Sequence, residues 1–126
     1  MTDLNRFFRG RLAAFRPAFQ GWAHVWRTTP NAWIHAAITA IVIALGIWVD
    51  LDRNSWIVIL LAAGLVWVAE FLNTALEAVV DLASPRKHKL ARAAKDVSAG
   101  AVVIAALVAV IIGTLVLGPP LLGKVF

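Results

Sequence analysis

Polar residues interrupt the apolar run that begins at Trp56, and their types could do chemistry. They are three carboxylates, an amide and a hydroxyl: Glu70, Asn73, Thr74, Glu77 and Asp81. If the run is helical, a rotation of about 100° per residue places all five within one sector of about 100°. Carboxylates among apolar helices are unfavourable unless they are paired, hydrated or metal-bound, and neighbouring carboxylates also repel one another. This face therefore needs a compensating cation or a protonated acid.

A second charged group precedes the next apolar run, where Lys95 and Asp96 follow a basic connection. Because the connection is short, we expect two antiparallel helices that bring these residues close to Glu77 and Asp81. Carboxylates that suit magnesium, together with a phosphate-binding lysine, are the groups that phosphoryl transfer uses. An ion- or proton-coupled transporter subunit would fit the same charges. However, Glu77 and Asp81 lie past the apolar run, not near the bilayer midplane.

Several of these side chains have simpler explanations. Asp81 can cap its helix or pair with Arg86, and His88 can be a solvated loop histidine. His35 can lie at the level of the lipid headgroups, and the bases of the connection can act as topology signals alone. Glu70 is harder to explain in this way, because acids inside a membrane helix are usually functional.

The composition indicates that the bilayer surrounds most of the chain. Hydrophobic residues make up 61 % of its 126 residues and charged residues 15 %. A small soluble domain has too large a surface for its volume to hide that much apolar area. The net charge of +5 lies beside apolar runs, which favours anionic lipid headgroups over nucleic acid as partners. The absence of cysteine excludes disulfides and thiolate metal sites.

Three apolar runs predict membrane spans at about 32–49, 56–82 and 97–117, the first reaching roughly 27 Å as a helix. Residues 4–27 precede them and predict a basic amphipathic helix. Its apolar positions recur every three or four residues: Leu4, Phe8, Leu12, Phe15, Phe19, Trp22 and Trp26. We expect this helix to lie in the membrane interface, the alternative being a helix packed on its own protein. The predicted fold is all-α, with residues 1–126 forming a single domain.

Turn and cap residues predict where these helices begin and end. Pro17 predicts a kink or a break in the first helix. Asn54 or Ser55 suits the cap of the third helix, which Ser84-Pro85 should end. Gly118-Pro119-Pro120 should end the fourth.

Two segments carry a resemblance to a known family. They are EFLNTALEAVVD at 70–81 and AKDVSAGAV at 94–102. Together they resemble the prokaryotic diacylglycerol kinase and undecaprenol kinase family, over roughly residues 6–118. Asn31 with His35, and the residues HKLA at 88–91, resemble the undecaprenol kinase branch.

This resemblance implies a homotrimer of three-span subunits with an N-terminal surface helix. Active sites would lie between subunits at the cytoplasmic face and use MgATP. The expected activity is transfer of the γ-phosphate of MgATP to a lipid alcohol, first undecaprenol and otherwise diacylglycerol. A catalytically degenerate member, acting as a non-enzymatic membrane or lipid-binding subunit, is the alternative. The expected location is the bacterial inner (cytoplasmic) membrane, as a multi-pass protein with the site facing the cytoplasm.

The resemblance also assigns expected roles. Glu70 matches the general base, and Asn73 matches a polar catalytic residue. Glu77 matches the metal-binding glutamate. Nucleotide binding is expected of Glu77 and of a basic group with one acid: Arg86, Lys87, His88, Lys95 and Asp96.

One departure from the family pattern bears on the metal. Thr29 stands where the family usually has a second metal-binding glutamate, and a neutral hydroxyl is a poorer magnesium ligand than a carboxylate. An arginine of the family's N-terminal helix falls at Gly10, although Arg9 and Arg11 are adjacent. We therefore expect weaker metal binding than in relatives with both acids.

The distribution of bases predicts the topology. The N-terminal region and the connection from Arg86 to Lys95 hold five Lys and Arg residues each, whereas the 50–55 turn holds Arg53 beside two aspartates. The positive-inside rule places the N-terminus and this connection in the cytoplasm. Since the chain has no native cysteine, Asn54→Cys and Lys87→Cys give unique labels. A membrane-impermeant thiol reagent should reach them from opposite sides, and labelling of both from one side would contradict three spans.

Overall fold

A computed structural model describes the backbone from Thr2 to Phe126 and the side chains from Gly10 onward, except Leu12 and Ala14. The predicted apolar positions Leu4, Phe8 and Leu12 therefore lie outside the described side chains. Four helices follow in order: α1 (Thr2–Thr28), α2 (Pro30–Trp48), α3 (Arg53–Ala83) and α4 (Lys89–Val125). Helices α2, α3 and α4 are each long and apolar enough to cross a membrane. The all-α prediction with three such helices is confirmed.

The predicted spans lie on these three helices, except that Val49 falls just past the end of α2. Where the bilayer begins and ends along each helix stays a prediction. The chain forms two compact units, Met1–Trp33 and Ile34–Phe126. That residues 1–126 act as a single domain also stays a prediction.

In the first unit, α1 runs without a break through Pro17. Proline's fixed φ is compatible with a helix, so the loss of one amide donor does not by itself force the chain out of it. The helix ends where Thr28 donates its hydroxyl to the carbonyl of His24 at 2.8 Å. Pro30 then begins α2, a position that suits a residue without an amide hydrogen. Whether α1 lies in the membrane interface stays a prediction.

In the second unit, α3 and α4 pack against each other across the short 84–88 connection, as the sequence predicts. An apolar core lies at the end of this unit away from that connection. Its buried members are Val49, Ile59 and Leu117. Because long runs of α2, α3 and α4 face outward, most of their apolar side chains are exposed in the single chain.

The fourth helix does not end at Gly118-Pro119-Pro120 as predicted but continues to Val125. Proline's φ is again compatible with the helix. Leu121 packs against the apolar core, which stabilises the turn beyond the prolines. Lys124 donates from Nζ to the carbonyl of Trp48 at 2.5 Å and lies 5.9 Å from the centre of its ring. The C-terminal ends of α2 and α4 therefore meet at the same end of the unit.

The turn between α2 and α3 depends on two aspartates. Asp50 adopts a φ of 58°, the left-handed region that aspartate and asparagine tolerate better than most residues. Asp52, rather than the predicted Asn54 or Ser55, caps α3 and accepts from the Asn54 amide at 2.9 Å. The Ser55 hydroxyl and this amide hold the pKa of Asp52 below its ordinary value of 3.8. The cap's stabilisation is thus fully present above that value and is lost as pH falls through the lowered pKa.

A glycine allows this turn to pack against α2. A Cβ added at Gly46 would lie 2.8 Å from Cη2 of Trp56 and 3.1 Å from Cδ1 of Leu51. Because the indole ring is large and stiff, Gly46→Ala should overpack the site and lower the free energy of unfolding by about 1–3 kcal/mol. Unfolding in detergent micelles measures the effect.

Gly113→Ala is the matched control, since a Cβ there meets nothing within 4 Å in this chain. It should leave stability unchanged or slightly higher, because alanine favours a helix more than glycine does. Equal stability of the two variants would contradict the packing at Gly46.

Candidate active site

Glu70 is buried inside the second unit, between α2 and α3. Its relative exposure is 1 %, and both carboxylate oxygens are closed to solvent. Nε2 of His35 on α2 lies 3.4 Å from Oε2 of Glu70. This distance is slightly longer than an ordinary hydrogen bond but within reach of an ion pair. His35 therefore contacts α3. A position at the level of the lipid headgroups does not by itself explain the presence of this histidine.

A second polar contact joins α2 to α3 beside this pair. The indole nitrogen of Trp67 donates to the hydroxyl of Thr39 at 3.2 Å, and Thr39 donates to the carbonyl of His35 at 2.7 Å. The rings of Trp67 and His35 meet edge to face, with centroids 6.3 Å apart. These contacts were not predicted from the sequence. A signal was available, because His35 and Thr39 are the polar residues of an otherwise apolar span and share one helix face.

Asn73 lies on the side of α3 that faces α4. The hydroxyl of Ser98 lies 2.6 Å from Oδ1 of Asn73 and 3.0 Å from the carbonyl of Lys95. If the hydroxyl donates to Oδ1, the amide oxygen of Asn73 is occupied and its NH₂ group is directed elsewhere. Asn73 was predicted to be a site residue, whereas Ser98, which lies on another helix, was not.

Lys95 joins the acidic face of α3 near the connection. Its Nζ lies 2.6 Å from Oδ1 of Asp81, so Asp81 pairs across to α4 and not with Arg86. Glu77, one turn earlier on α3, is exposed and also acts electrostatically on Lys95. The predicted approach of Lys95 to the Glu77–Asp81 end is thus observed. An ion pair with Asp81 about two-thirds exposed adds little stability, so its position is more informative than its strength.

The other predicted nucleotide-binding residues are all exposed. Arg86, Lys87 and His88 are exposed in the connection, where Nδ1 of His88 accepts from the amide of Leu90 at 3.2 Å and caps α4. Asp96 is exposed and lies 3.9 Å from Nε of Arg92, one turn earlier. Their nucleotide contacts stay predictions.

Comparison with known proteins assigns the chain to a family. Residues 16–117 match the family described as prokaryotic diacylglycerol kinase. The undecaprenol kinase of Bacillus subtilis (strain 168) is 41 % identical over 120 residues, covering 95 % of this chain and 94 % of that protein. The chain belongs to the prokaryotic diacylglycerol kinase family. With its three apolar helices, it is a multi-pass membrane enzyme, a lipid kinase that uses ATP.

Two further relatives are diacylglycerol kinases. The protein from Synechocystis is 43 % identical over 112 residues, covering 88 % of this chain and 64 % of that protein. The Escherichia coli K12 protein is 38 % identical over 95 residues, covering 68 % and 76 %. These kinase relatives do not favour the transporter or the degenerate non-enzymatic alternative.

The charged end of α3 suits the divalent cation that kinases of this kind typically need. No group of three or more His, Asp or Glu residues converges within the described part of the chain. The exposed carboxylate of Glu77 is nonetheless a hard oxygen donor of the kind that magnesium prefers. Magnesium commonly takes one or two protein carboxylates and completes its shell with phosphate and water. The residues therefore fit a metal bound together with the nucleotide.

The contact between Ser98 and Asn73 predicts that a hydrogen bond between α3 and α4 contributes to the stability of this kinase. Ser98→Ala should lower the free energy of unfolding by about 1 kcal/mol, typical of a hydrogen bond between membrane helices. Thr114→Val is the control, because the Thr114 hydroxyl donates within its own helix, to Val110. Thr114→Val should lower the free energy of unfolding by less than Ser98→Ala does. A double-mutant cycle with Asn73→Ala should show coupling for Ser98 but none for Thr114, and an uncoupled Ser98 would contradict the bond.

Proposed function

We propose that this kinase transfers the γ-phosphate of MgATP to the hydroxyl of undecaprenol, with diacylglycerol as the second candidate acceptor. The observation that carries the choice of lipid is the end-to-end alignment with an undecaprenol kinase, over 95 % of this chain and 94 % of that protein. The diacylglycerol kinase relatives align over smaller shares of their own length, 64 % and 76 %.

Glu70 is the proposed general base. The lipid O–H bond breaks as its oxygen bonds to the γ-phosphorus, the bond from that phosphorus to the bridging oxygen breaks, and ADP leaves. The hydroxyl proton passes to the carboxylate of Glu70 and later to water. Both oxygens of Glu70 are closed to solvent, so the side chains that cover them must move before the lipid hydroxyl can reach one. The side-chain amide of Asn73, whose oxygen contacts the hydroxyl of Ser98, is available to orient the reacting oxygens.

The phosphates bind at the charged end of α3 and α4 in this proposal. Lys95 neutralises phosphate charge, and its contact with Asp81 sets where its ammonium lies in the absence of nucleotide. Arg86, Lys87 and His88 cover the nucleotide from the connection, and Asp96 contacts it from α4. Such placement of charge lowers the barrier by positioning and electrostatic compensation, without a covalent intermediate.

Magnesium would be held by Glu77 and by the phosphates of ATP. A metal held there would supply positive charge against the phosphates of ATP. Thr29 offers a hydroxyl at the position where the family resemblance led us to expect a second acid. We therefore propose that Glu77 is the main protein carboxylate on the metal.

The lipid and the other subunits meet the outward faces of the helices. An open groove of about 410 Å³ runs between α3 and α4, lined by apolar side chains together with Asn73 and Ser98. It suits the hydrocarbon chain of a lipid whose polar end lies near Asn73. We further propose a homotrimer in the bacterial inner (cytoplasmic) membrane, with the site on the cytoplasmic side. The many exposed apolar side chains and the distribution of bases support this arrangement.

The test is phosphate transfer by purified protein. Labelled ATP and magnesium are supplied with undecaprenol or diacylglycerol in parallel micelles, and labelled lipid is separated and counted. Undecaprenol should have the higher kcat/KM. Glu70→Gln should lower kcat by about 10²- to 10⁴-fold, the usual contribution of a placed general base. Removing magnesium with a chelator should abolish transfer.

Asp50→Asn is the matched control for that variant. It makes the same kind of acid-to-amide change at the opposite end of the second unit, and asparagine tolerates the positive φ of residue 50. Its turnover should stay near wild type. Wild-type turnover in Glu70→Gln would remove Glu70 from the role of base. Failure to phosphorylate either lipid would overturn the proposed substrates.

A further inference from the structure

The carboxylate of Glu70 poses a problem that its proposed role as base does not solve. A buried carboxylate without a partner is strongly unfavourable, because neither water nor a polar neighbour replaces its hydration. Within the described residues, both oxygens lack a hydrogen bond of ordinary geometry. A base must also present its oxygen to the acceptor within a fraction of an ångström, so a carboxylate free to rotate would lose rate. Some group must therefore hold it.

His35 is the side chain placed to do so. Its Nε2 lies 3.4 Å from one oxygen of Glu70, Oε2, slightly beyond ordinary hydrogen-bond distance. The imidazole is itself confined, with 15 % of its side chain exposed and its ring packed edge to face with the ring of Trp67. Trp67 is in turn fixed by its bond to Thr39, on the same face of α2 as His35. The donor is thus packed into place before any substrate binds.

We propose that His35 is a positioning residue for Glu70: its Nε2–H donates to Oε2 and leaves Oε1 directed at the acceptor hydroxyl. This inference rests on the proposed role of Glu70 as the base. Holding one oxygen removes the rotation that would exchange the two, so the hydroxyl meets a single oriented acceptor. This role requires no contact of His35 with the lipid or the nucleotide. What it supplies is an N–H donor, and a neutral donor of the same reach serves as well.

The effect of a neutral N–H donor at residue 35 distinguishes positioning from proton relay. In a relay, the proton taken by Glu70 would pass to Nε2 of His35, which then must be a base and not a donor. Glutamine keeps a terminal N–H at about the same reach but cannot accept that proton. His35→Gln should therefore retain activity if His35 positions Glu70 and lose it if His35 relays the proton.

The experiment measures kcat and KM for ATP and undecaprenol in His35→Ala, His35→Gln and wild type. His35→Ala should lower kcat by about 10- to 100-fold, the cost of a misplaced reacting group, with both KM values changed by less than about 3-fold. His35→Gln should recover most of that loss. His24→Ala, which removes an exposed histidine from α1, is the control and should match wild type. In a Glu70→Gln background, His35→Ala should cause no further loss.

Three results would overturn the inference: normal kcat in His35→Ala, a rise in KM without a fall in kcat, or no recovery in His35→Gln. A measurement that does not depend on activity tests this inference separately from the proposed function. Thermal unfolding of the single and double variants should show that His35→Ala lowers Tm in wild type more than in Glu70→Gln. An inactive wild type with this coupling would refute the proposed function but not the pair. An active wild type without the coupling would refute the pair alone.

Discussion

A carboxylate inside an apolar helix pair is the constraint on which the arrangement of the second unit depends. Glu70 is almost fully buried, so the protein must supply the partner that water cannot. For this, α2 must run beside α3 with one particular rotation about its own axis and one particular shift along it. Only then does His35 face Glu70 while Thr39 contacts Trp67. Two polar contacts on neighbouring turns thus set the register of the two helices.

The two ends of this unit are stabilised in different ways. At one end, Val49, Ile59 and Leu117 form an apolar core, and Lys124 joins the ends of α2 and α4 through the carbonyl of Trp48. At the other end, two polar contacts join α3 to α4: the ion pair of Lys95 with the exposed Asp81, and the partly buried contact between Ser98 and Asn73. Regions with few buried apolar contacts open at lower free energy than packed cores. This distribution suits the proposed function, in which a nucleotide and a lipid enter at the charged end.

The position of the acids along α3 suits the proposed transfer between a water-soluble donor and a lipid acceptor. Glu70 and Asp81 are separated by about 16 Å of helix rise, with Glu77 between them. In the proposed function, the base therefore lies deeper along α3, on the side of the lipid, and the Lys95–Asp81 pair lies nearer the 84–88 connection, on the side from which ATP arrives. Phosphoryl transfer depends on positioning and charge compensation. A few well-placed side chains can supply both in a chain of 126 residues.

Sequence alone determined the all-α class and three apolar spans, because run length and composition decide what a bilayer accepts. It also determined the polar face of α3 and, through two contiguous motifs, the family. Only the tertiary structure decided that Glu70 meets His35, that Asn73 meets Ser98, and that Asp81 pairs with Lys95 on another helix. It likewise replaced the predicted caps of α3 by an aspartate and carried α4 past its prolines. Helical periodicity shows which residues share a face. The rotation and height at which two helices pack depend on side chains distant in the sequence, and those determine which faces meet.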